Sequence, residues 1–286
     1  MKIAAKILKW ILIAIFALGI VTFSSVFLVK MYNRHANRIV SNDGIEYEGF
    51  INVNGCQQWI CVRGENKANP IILFIHGGPG SPESGMACKK YQGILEKYFT
   101  MVHWEQRGAG KSYNPKIDHD PFVVDTFVHD AISVSEFLRK EYNKKKIFLI
   151  GHSWGSIVGI EAVSKRPDLY YAYIGVGQFV NAIEQERVSR LFVMDYLKKN
   201  GKVEEYIQME NIGDPPYKNT FEDLSLERKY LRPSGGWIGP NYSMSSLAID
   251  ALCCPYYSFI DYYRIYKGVM YSLRKSLTKE YWNVAL

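Results

Sequence analysis

One serine stands in a setting that could make it a nucleophile. The motif Gly-His-Ser-Trp-Gly at 151–155 has the form G-x-S-x-G and joins a strand-like run at 146–150 to a helix-like run at 156–165. Glycines on both sides permit a tight turn in which a strained backbone projects the Ser153 hydroxyl. The following N–H and the helix N-terminus then face a developing oxyanion, as acyl transfer requires. Taken alone, the motif is equally typical of a glycine-flanked serine that caps a helix.

The elements around this motif alternate in type. Strand-like runs fall at 70–75, 100–105, 146–150 and 169–176, and helix-like segments at 83–98, 125–142 and 156–165. This alternation predicts an α/β fold with a mostly parallel sheet covered by helices on both faces. Two alternating segments at 46–53 and 57–62, separated by Asn54-Gly55, predict a hairpin before that sheet. The chain after residue 180 reads as mostly helical and is rich in Tyr and Trp.

The N-terminus carries a long apolar segment. Residues 10–29 have no charged side chain and lie between Lys9 and Lys30. Twenty helical residues span about 30 Å, the thickness of a bilayer's hydrocarbon core. The segment is longer than the apolar part of a signal peptide, so it predicts an uncleaved single-pass anchor, with a long signal peptide as the alternative. The short Lys-rich tail slightly favours an extracytoplasmic domain, and 31–44 reads as a polar linker.

The net charge of +7 belongs mainly to this N-terminal segment. Six of the 35 basic residues and none of the 28 acidic residues lie within residues 1–40, which leaves 29 against 28 in the remainder. A nearly neutral body has no basic stripe for a phosphate backbone, so nucleic acid is excluded as a partner. Five cysteines without a C-x-x-C pair predict neither a disulfide framework nor a zinc site.

Three motifs occurring in order carry a resemblance to a known family. They are His-Gly-Gly-Pro-Gly at 76–80, Gln-Arg-Gly-Ala-Gly-Lys-Ser at 106–112, and the serine motif at 151–155; Glu105 holds the acidic position before the second. Together they resemble the α/β-hydrolase family, and within it the prolyl iminopeptidase group of serine peptidases, over about residues 45–285. After the anchor and linker at 1–44, the resemblance implies a hydrolase core at 45–179 and a helical cap at 180–286.

The resemblance also implies roles for individual residues. Ser153 would attack the carbonyl of a peptide or small acyl substrate, and the N–H groups of Trp154 and Gly78 would form the oxyanion hole. His76 and Arg107 are expected to be structural. An acidic cap residue would receive the substrate's amino group, and Glu186 is preferred among the candidates Glu184, Glu186, Glu204, Glu205 and Glu210. No metal or organic cofactor is needed.

A general base for Ser153 is missing from the expected place. The fold orders its triad as Ser, then Asp or Glu, then His. The six histidines are His35, His76, His103, His119, His129 and His152, and none follows Ser153. Segments 259–269 and 272–281 read as helical, which places Asp250 and Asp261 inside the cap. We therefore expect a C-terminally truncated chain without the last core strands, the triad acid or the histidine.

This absence leaves three interpretations of function. In the first, the protein is a membrane-anchored serine hydrolase of the prolyl aminopeptidase type, which would remove an N-terminal residue through an acyl-enzyme on Ser153, and this chain is inactive. In the second, the same scaffold is an esterase or amidase, since fold does not determine substrate. In the third, the chain is a non-catalytic membrane protein. The strand at 169–176 is expected to form an unpaired edge of the sheet.

Overall fold

A six-stranded sheet forms the centre of the protein in a computed structural model that describes residues 2–116, 122–236 and 243–284. The strands are β1 Ile45–Val53, β2 Cys56–Gly64, β3 Ile71–Ile75, β4 Thr100–Glu105, β5 Ile147–His152 and β6 Tyr170–Val176. The helices are α1 Lys2–Ala36, α2 Lys89–Glu96, α3 Val124–Glu141, α4 Trp154–Lys165, α5 Ala182–Lys199, α6 Val203–Ile212, α7 Thr220–Leu231, α8 Met244–Leu252 and α9 Phe259–Ser276. The predicted α/β fold class is confirmed.

The sheet runs in the order β1-β2-β4-β3-β5-β6. β1 and β2 form the predicted hairpin, in which Asn54 and Gly55 both have positive φ, as a two-residue turn of this kind requires. β2 is antiparallel to β4, whereas β4, β3, β5 and β6 are mutually parallel. The hairpin therefore extends a parallel sheet at one side.

The connections between parallel strands determine where loops meet. The chain crosses from β3 to β4 in one direction and then returns across β3 to β5. Right-handed crossovers consequently place α2 on one face and α3 with α4 on the other. The loops after β3 and β5 leave the same end of adjacent strands, at the point where the direction of winding changes. Ligands bind at such a crevice in open α/β sheets.

Fully buried aliphatic side chains hold this sheet between its helices. Ile71, Leu73 and Ile75 of β3 and Leu149 of β5 have almost no exposed surface. On the helical side, α3 contributes Phe127, Ala131, Val134 and Leu138, which recur at the helical period. Each fully buried aliphatic side chain contributes about 1.5–3 kcal/mol, so this layer keeps the central strands and their loops in place.

β6 lies at the opposite side of the sheet from the hairpin. Within the described residues β5 is its one strand partner, in agreement with the expected edge. Tyr171 and Ile174 of β6 are 55% and 49% exposed. Unpaired backbone groups beside exposed apolar side chains make this edge prone to association.

Three helical boundaries differ from the sequence prediction. The predicted helix at 83–98 is a 3₁₀ turn, Ser84–Met86, followed by the shorter α2, because Cys88 between them is extended. The two helical segments predicted in 259–281 form one helix, α9, followed by the 3₁₀ turn Lys279–Asn283. α1 continues through residues predicted as linker and ends at Ala36. The domain boundaries at 44 and 179 remain predictions.

The helices after β6 form a layer above the crevice. α5, α6 and α7 pack around their own small cluster, which includes Val193, Leu197, Met209 and Tyr230. α9 rests on the loop after β4, where Ser272 Oγ donates to Gly108 O at 3.2 Å. A Cβ on Gly268 would lie 2.6 Å from that same carbonyl oxygen, so the close approach of helix and loop depends on glycine.

Candidate active site

Ser153 lies at the sharp turn between β5 and α4. Its backbone has φ 52° and ψ −121°, a conformation that is unfavourable for a residue with a side chain. Three hydrogen bonds hold the turn: Ser153 N–H donates to Val176 O at 2.9 Å, and Ser153 O accepts from Ser156 N at 2.8 Å and from Ser156 Oγ at 2.6 Å. A strained residue that several surrounding contacts hold in place is characteristic of functional sites.

The flanking glycines allow this turn to be tight. A Cβ on Gly151 would lie 2.5 Å from Gly155 O. A Cβ on Gly155 would overlap the backbone oxygen of Ile75 and approach His76 O to 2.7 Å. α4 therefore begins directly against the end of β3, which brings Ser153 next to the glycine loop that follows β3.

That loop supplies the second half of the site. An ideal Cβ on Gly77 would lie only 3.1 Å from Ser153 Cβ, and Gly78 has φ 122°. Gly78, Ser153 and Trp154 line one pocket. Trp154 is the first residue of α4, so its N–H has no partner inside the helix. Two backbone donors beside a projecting serine can stabilise an oxyanion.

His76 connects the two loops around the serine. Gln106 N–H donates to its Nε2 at 3.1 Å, so the ring is neutral and its Nδ1–H donates to Gly77 O at 2.8 Å. Gln106 Nε2 also donates to His76 O at 2.8 Å. Burial lowers the pKa of His76, which favours this neutral form. Both ring nitrogens are occupied by backbone groups, which supports a structural role.

Glu83 joins the loop after β3 to the turn that bears the serine. Its Oε1 lies 2.6 Å from His152 Nδ1 and accepts from Gly77 N at 3.3 Å. The hydrogen bond from Glu83 raises the pKa of His152. Burial opposes ionisation of Glu83, but the His152 partner is sufficient to hold the pKa of Glu83 below its usual value. Both shifts favour the ionised forms of His152 and Glu83, and the Glu83 carboxylate helps to fix Gly77 beside Ser153.

Two buried carboxylates organise the loop after β4. Arg107 donates to both oxygens of Asp130, at 2.6 Å from Nε and 2.9 Å from Nη2. This is the bracing role expected for Arg107. Glu105 accepts from Tyr257 Oη at 2.6 Å, and burial raises the pKa of Glu105 to about 7. Glu105 thereby ties the loop to the layer above it.

The pocket has a volume of about 520 Å³ and is lined by residues from both layers. Gly78, Pro79, Ser153, Trp154 and Ile157 form its core side. Its other walls come mainly from α5, α7 and α9, and they are largely apolar, with Phe221, Leu224, Met270 and Leu273 among them. A concave, mostly apolar pocket that ends at a strained serine is the arrangement of a small-molecule or acyl-binding site.

Glu186 is the one predicted cap glutamate that lines this pocket. The residue is fully buried, Arg228 Nη2 donates to both of its oxygens at 2.6 and 2.7 Å, and Tyr281 Oη donates to Oε1 at 2.7 Å. Its role in binding a substrate amine stays a prediction, and that role would require an ammonium to displace Arg228.

The other predicted glutamates lie away from the pocket. Glu184 pairs with Arg187 on the surface, and Glu205 lies 3.7 Å from Lys202. Glu204 and Glu210 are exposed. These four side chains therefore occupy solvated helix faces in this structure.

No histidine in the described ranges lines the pocket. His103 is buried beside Gln92, and burial lowers its pKa to about 4. His129 is exposed on α3, His35 lies on α1, and His119 is outside the described residues. His152, next to the serine, is directed to Glu83.

The two aspartates near the end of the sequence have local structural partners. Asp250 contacts Lys90 and Tyr91, and Asp261 forms a capping box with Ser258 at the start of α9. Neither aspartate lines the pocket, as expected from their position in the cap. No group of three or more His, Cys, Asp or Glu that could hold a metal occurs in the described ranges.

Sequence reasoning missed the partners that complete the site. Arg228 was not a candidate, yet it contacts Glu186 and, through Nη1 at 2.9 Å, Glu227. Glu83 was also missed, although it follows the His-Gly-Gly-Pro-Gly loop by three residues. Neither residue belongs to a motif, and their roles come from contacts made 42 and 69 positions away in the chain.

The sheet order and the strained serine after β5 make this protein an α/β-hydrolase with a nucleophile elbow. A family profile described as "Serine aminopeptidase, S33" matches residues 66–219. The probable aminopeptidase YbaC of Bacillus subtilis is 32% identical over 231 residues, which cover 80% of this chain and 72% of that protein. The chain therefore belongs to the S33 serine aminopeptidase family, and the resemblance drawn from its motifs is confirmed.

More distant similarities cover less of the molecule. A proline iminopeptidase of Heyndrickxia coagulans is 30% identical over 122 residues, which are 42% of this chain and 39% of that enzyme. A solved proline iminopeptidase-related protein from Thermus thermophilus is 22% identical, with a TM-score of 0.46 over 68% of this chain and 59% of that one. The chain thus spans about two fifths of the matched proline iminopeptidase.

Proposed function

We propose that Ser153 is the nucleophile of an acyl-transfer site that acts on peptides with a free N-terminal residue. The observation that carries this proposal is the strained Ser153 at the floor of the pocket, with Gly78 and Trp154 beside it. Attack by Ser153 Oγ on the substrate carbonyl would form an acyl-enzyme, which water then hydrolyses. The N–H groups of Gly78 and Trp154 would stabilise the oxyanion, and one such donor typically contributes ~10²–10³ in rate.

The proposal includes a low rate for this polypeptide. No histidine follows Ser153 in the sequence, and none of those described lines the pocket. A serine without a general base is a weak nucleophile. An oxyanion hole and substrate binding alone retain about 10³–10⁴ of rate acceleration over water. We therefore expect slow acylation of Ser153 and no measurable steady-state turnover.

Fluorophosphonate labelling of the full-length chain in detergent tests the nucleophile. Slow labelling that is absent in Ser153→Ala and preserved in Ser225→Ala is expected; Ser225 lines the same pocket and serves as the matched control. Labelling that persists in Ser153→Ala would show that another residue reacts. Rapid labelling at Ser153, or turnover of a proline anilide, would contradict the low rate while leaving the nucleophile assignment intact.

The same proposal places the protein in a membrane. The helix Lys6–Ala36 is long and apolar enough to cross a bilayer and is unburied within its most apolar window. Its later part packs on the cap: Phe23 stacks on Phe259 at 4.6 Å, and Lys30 Nζ donates to Tyr262 Oη at 2.6 Å. With residues 10–29 in the bilayer, this contact holds the hydrolase directly against the membrane surface.

Exposed apolar side chains beside that contact support this placement. Ile260, Tyr263 and Tyr266 of α9 are all more than half exposed and lie at i, i+3 and i+6 on the helix that Phe23 contacts. Amphipathic aromatic rings favour the headgroup level of a membrane. The extracytoplasmic side is retained as the expected location of the domain, and protease accessibility in sealed vesicles tests it.

Carbonate extraction of membranes from expressing cells tests the anchor. The wild-type chain is expected in the pellet at full mass, whereas Ile15→Arg/Leu18→Arg is expected in the supernatant, because each central arginine costs about 2.5–3.5 kcal/mol in a bilayer. Val40→Arg, outside the apolar run, is the control. A mature chain that has lost its first residues would support a cleaved signal peptide instead.

A further inference from the structure

The first turn of α9 packs against the apolar part of α1, well before that part ends. The Phe259 ring stacks on the Phe23 ring, with centroids 4.6 Å apart. Phe23 lies six positions before Val29, the last residue of the apolar run. Since a helix rises about 1.5 Å per residue, a bilayer that holds residues 10–29 places Phe23 about 9 Å inside its apolar layer. Phe259 therefore lies below the boundary between hydrocarbon and headgroups.

Lys30 marks the level of that boundary. It is the first charged residue after the apolar run, and a lysine at the end of a membrane helix extends its ammonium to the headgroups. Lys30 Nζ donates to Leu252 O at 3.2 Å and to Tyr262 Oη at 2.6 Å. The end of α8 and the start of α9 thus meet α1 at the membrane surface.

The rise of α9 limits how far its next residues can stand above the boundary. Lys267 lies eight positions after Phe259. Even if α9 stood upright on the membrane, Lys267 would be about 12 Å higher than Phe259, and so only about 3 Å above the hydrocarbon. The headgroup layer is about 5–7 Å thick on each side of a bilayer. Tyr263, Tyr266 and Lys267 therefore lie at or below the level of the headgroups for any tilt of α9.

The side chains exposed at this level suit a lipid interface. On α9, Ile260, Tyr263 and Tyr266 are exposed, and on the neighbouring end of α8, Ile249 and Leu252 are 60% and 39% exposed. Contiguous apolar side chains on a protein surface mark an interaction site. Tyrosine rings, which are apolar with a polar tip, favour the boundary between hydrocarbon and water. The bilayer that holds α1 is the partner that reaches all five side chains.

The charges at the same level are mainly basic. Asp261 is the one acidic residue of α9, and it is buried. Its carboxylate accepts from Ser258 Oγ at 2.6 Å and from Arg264 Nη1 at 3.0 Å. Lys267 is exposed and makes no ion pair within the part of the chain that the structure describes; its Nζ lies 5.8 Å from the centroid of the Tyr263 ring. Lys267 is therefore available to an anionic headgroup.

We propose that residues 249–267 form an interfacial surface, which inserts its apolar and aromatic side chains among the lipids of the bilayer and holds an anionic phospholipid at Lys267. The depth of this interfacial surface rests on the membrane placement of residues 10–29 proposed above. The interfacial surface also adjoins the hydrolytic site. Val269 and Met270, which follow it on α9, line the pocket of Ser153, so that pocket begins near the level of the headgroups.

Photo-crosslinking of the full-length chain in vesicles tests the lipid contact. The vesicles contain equal amounts of phosphatidylcholine and phosphatidylglycerol, and p-benzoylphenylalanine replaces Tyr263. Illumination is expected to give a lipid adduct at this position, identified by mass spectrometry. The same probe in place of Tyr171 on β6 is the matched control, because Tyr171 is 55% exposed and Tyr263 is 57% exposed. The control should give no lipid adduct.

The identity of the crosslinked lipid tests the charge of the interfacial surface. The phosphatidylglycerol adduct at position 263 is expected to exceed the phosphatidylcholine adduct about 5-fold, the effect of one available cation at a membrane surface. Lys267→Gln should bring the two adducts close to equal amounts. Lys198→Gln, which removes an exposed charge from α5, should leave the preference unchanged.

Four results would overturn the proposal: no lipid adduct at position 263, equal adducts at positions 263 and 171, a lipid preference that Lys267→Gln does not change, or a crosslinked dimer in place of the lipid adduct. Carbonate extraction of the same samples separates the interfacial surface from the anchor. A chain that stays in the pellet without an adduct would refute the interfacial surface and keep the anchor. An adduct on a chain that carbonate releases would do the reverse.

Discussion

The wall of the pocket that carries Ser153 and the wall that carries Arg228 are held in shape by different forces. On the first wall, positions are set by backbone contacts that allow no side chain at Gly151 or Gly155. On the second, a partly buried arginine, Arg228, holds two buried carboxylates that come from different helices. The glycine-dependent backbone geometry of the first wall is encoded in a short motif. The ion pairs of the second wall depend on which helices pack together in the tertiary structure.

The largest expected effect concerns the first wall. Gly155→Ala places a Cβ against the Ile75 carbonyl, which is backbone and cannot move aside, so we expect a loss of about 4 kcal/mol in the free energy of unfolding or failure to fold. Denaturant unfolding of the detergent-solubilised chain measures the loss.

Gly213→Ala is the control for that substitution. Gly213 has φ 72° and ψ −164° with no atom within 4 Å of its Cβ position, so Gly213→Ala should lose only the cost of a glycine-type backbone conformation, about 1–3 kcal/mol. Equal losses in Gly155→Ala and Gly213→Ala would mean that packing against β3 does not define this wall.

The next largest loss of stability is expected in the wall that carries Arg228. Arg228→Met leaves Glu186 and Glu227 buried without their cation, and breaking a buried pair in this way typically costs about 3–5 kcal/mol. Unfolding of the variant at pH 7 is expected to show that loss, and lowering the pH should reduce it, because burial raises the pKa of Glu227 above its ordinary value. Arg187→Met, which breaks the exposed pair with Glu184, should leave stability unchanged.

A smaller, pH-dependent effect concerns the link between loop and elbow. The pKa of His152 is raised above 6.5, so its contribution to stability is complete below that value and is lost as the pH rises through the folded pKa. The pKa of Glu83 is lowered below 4.5, so its contribution is present above 4.5 and is lost as the pH falls through the folded pKa. The Glu83–His152 pair is therefore most stabilising between pH 4.5 and pH 6.5.

Glu83→Gln measures this pair. At pH 5.5 we expect a loss of about 1 kcal/mol, a modest value because His152 is partly exposed to solvent, and the loss should shrink toward pH 9. Urea unfolding across the pH range checks the profile, with His129→Gln, at an exposed position of α3, as the control. A difference between Glu83→Gln and wild type that does not vary with pH would show that the two side chains are not an ion pair.

The smallest effect on stability is expected away from both walls. Ile174→Lys on the β6 edge should change the free energy of unfolding by less than about 0.5 kcal/mol, because the side chain is half exposed. It should reduce self-association, since charged residues block pairing at a sheet edge. Light scattering of the detergent-solubilised protein measures this, and Ile94→Lys, at an exposed position of α2, is the control that should leave association unchanged.

Most of the core was predictable from local pattern. The strand at 100–105 matches β4 residue for residue, and the Asn54-Gly55 hairpin and α3 were predicted to within about three residues. These elements have clear periodicity and clear turn residues, which act over short stretches of chain. The helix at 83–98 was predicted too long, because an extended Cys88 separates the 3₁₀ turn from α2.

The cap shows where such reasoning fails. Five glutamates were candidates by sequence, with Glu186 preferred, and the other four lie on exposed helix faces or beside a surface cation. Glu186 alone faces the pocket, and it does so together with Arg228, a residue that no motif singled out. Periodicity predicts that a helix exists, but it does not specify the rotation of that helix against a neighbour 42 positions away.

The sequence by itself determined the family, the elbow around Ser153, the apolar N-terminal helix and the absence of a histidine after the serine. Each of these depends on residue types at short spacing, so it can be recognised without coordinates. Only the tertiary structure decided which charged side chains line the pocket and how Glu186 is paired there. Whether a carboxylate is available to a ligand depends on burial and on its partners, and the contacts that Arg228 and Tyr281 make with Glu186 arise only when α5, α7 and the end of the cap pack together.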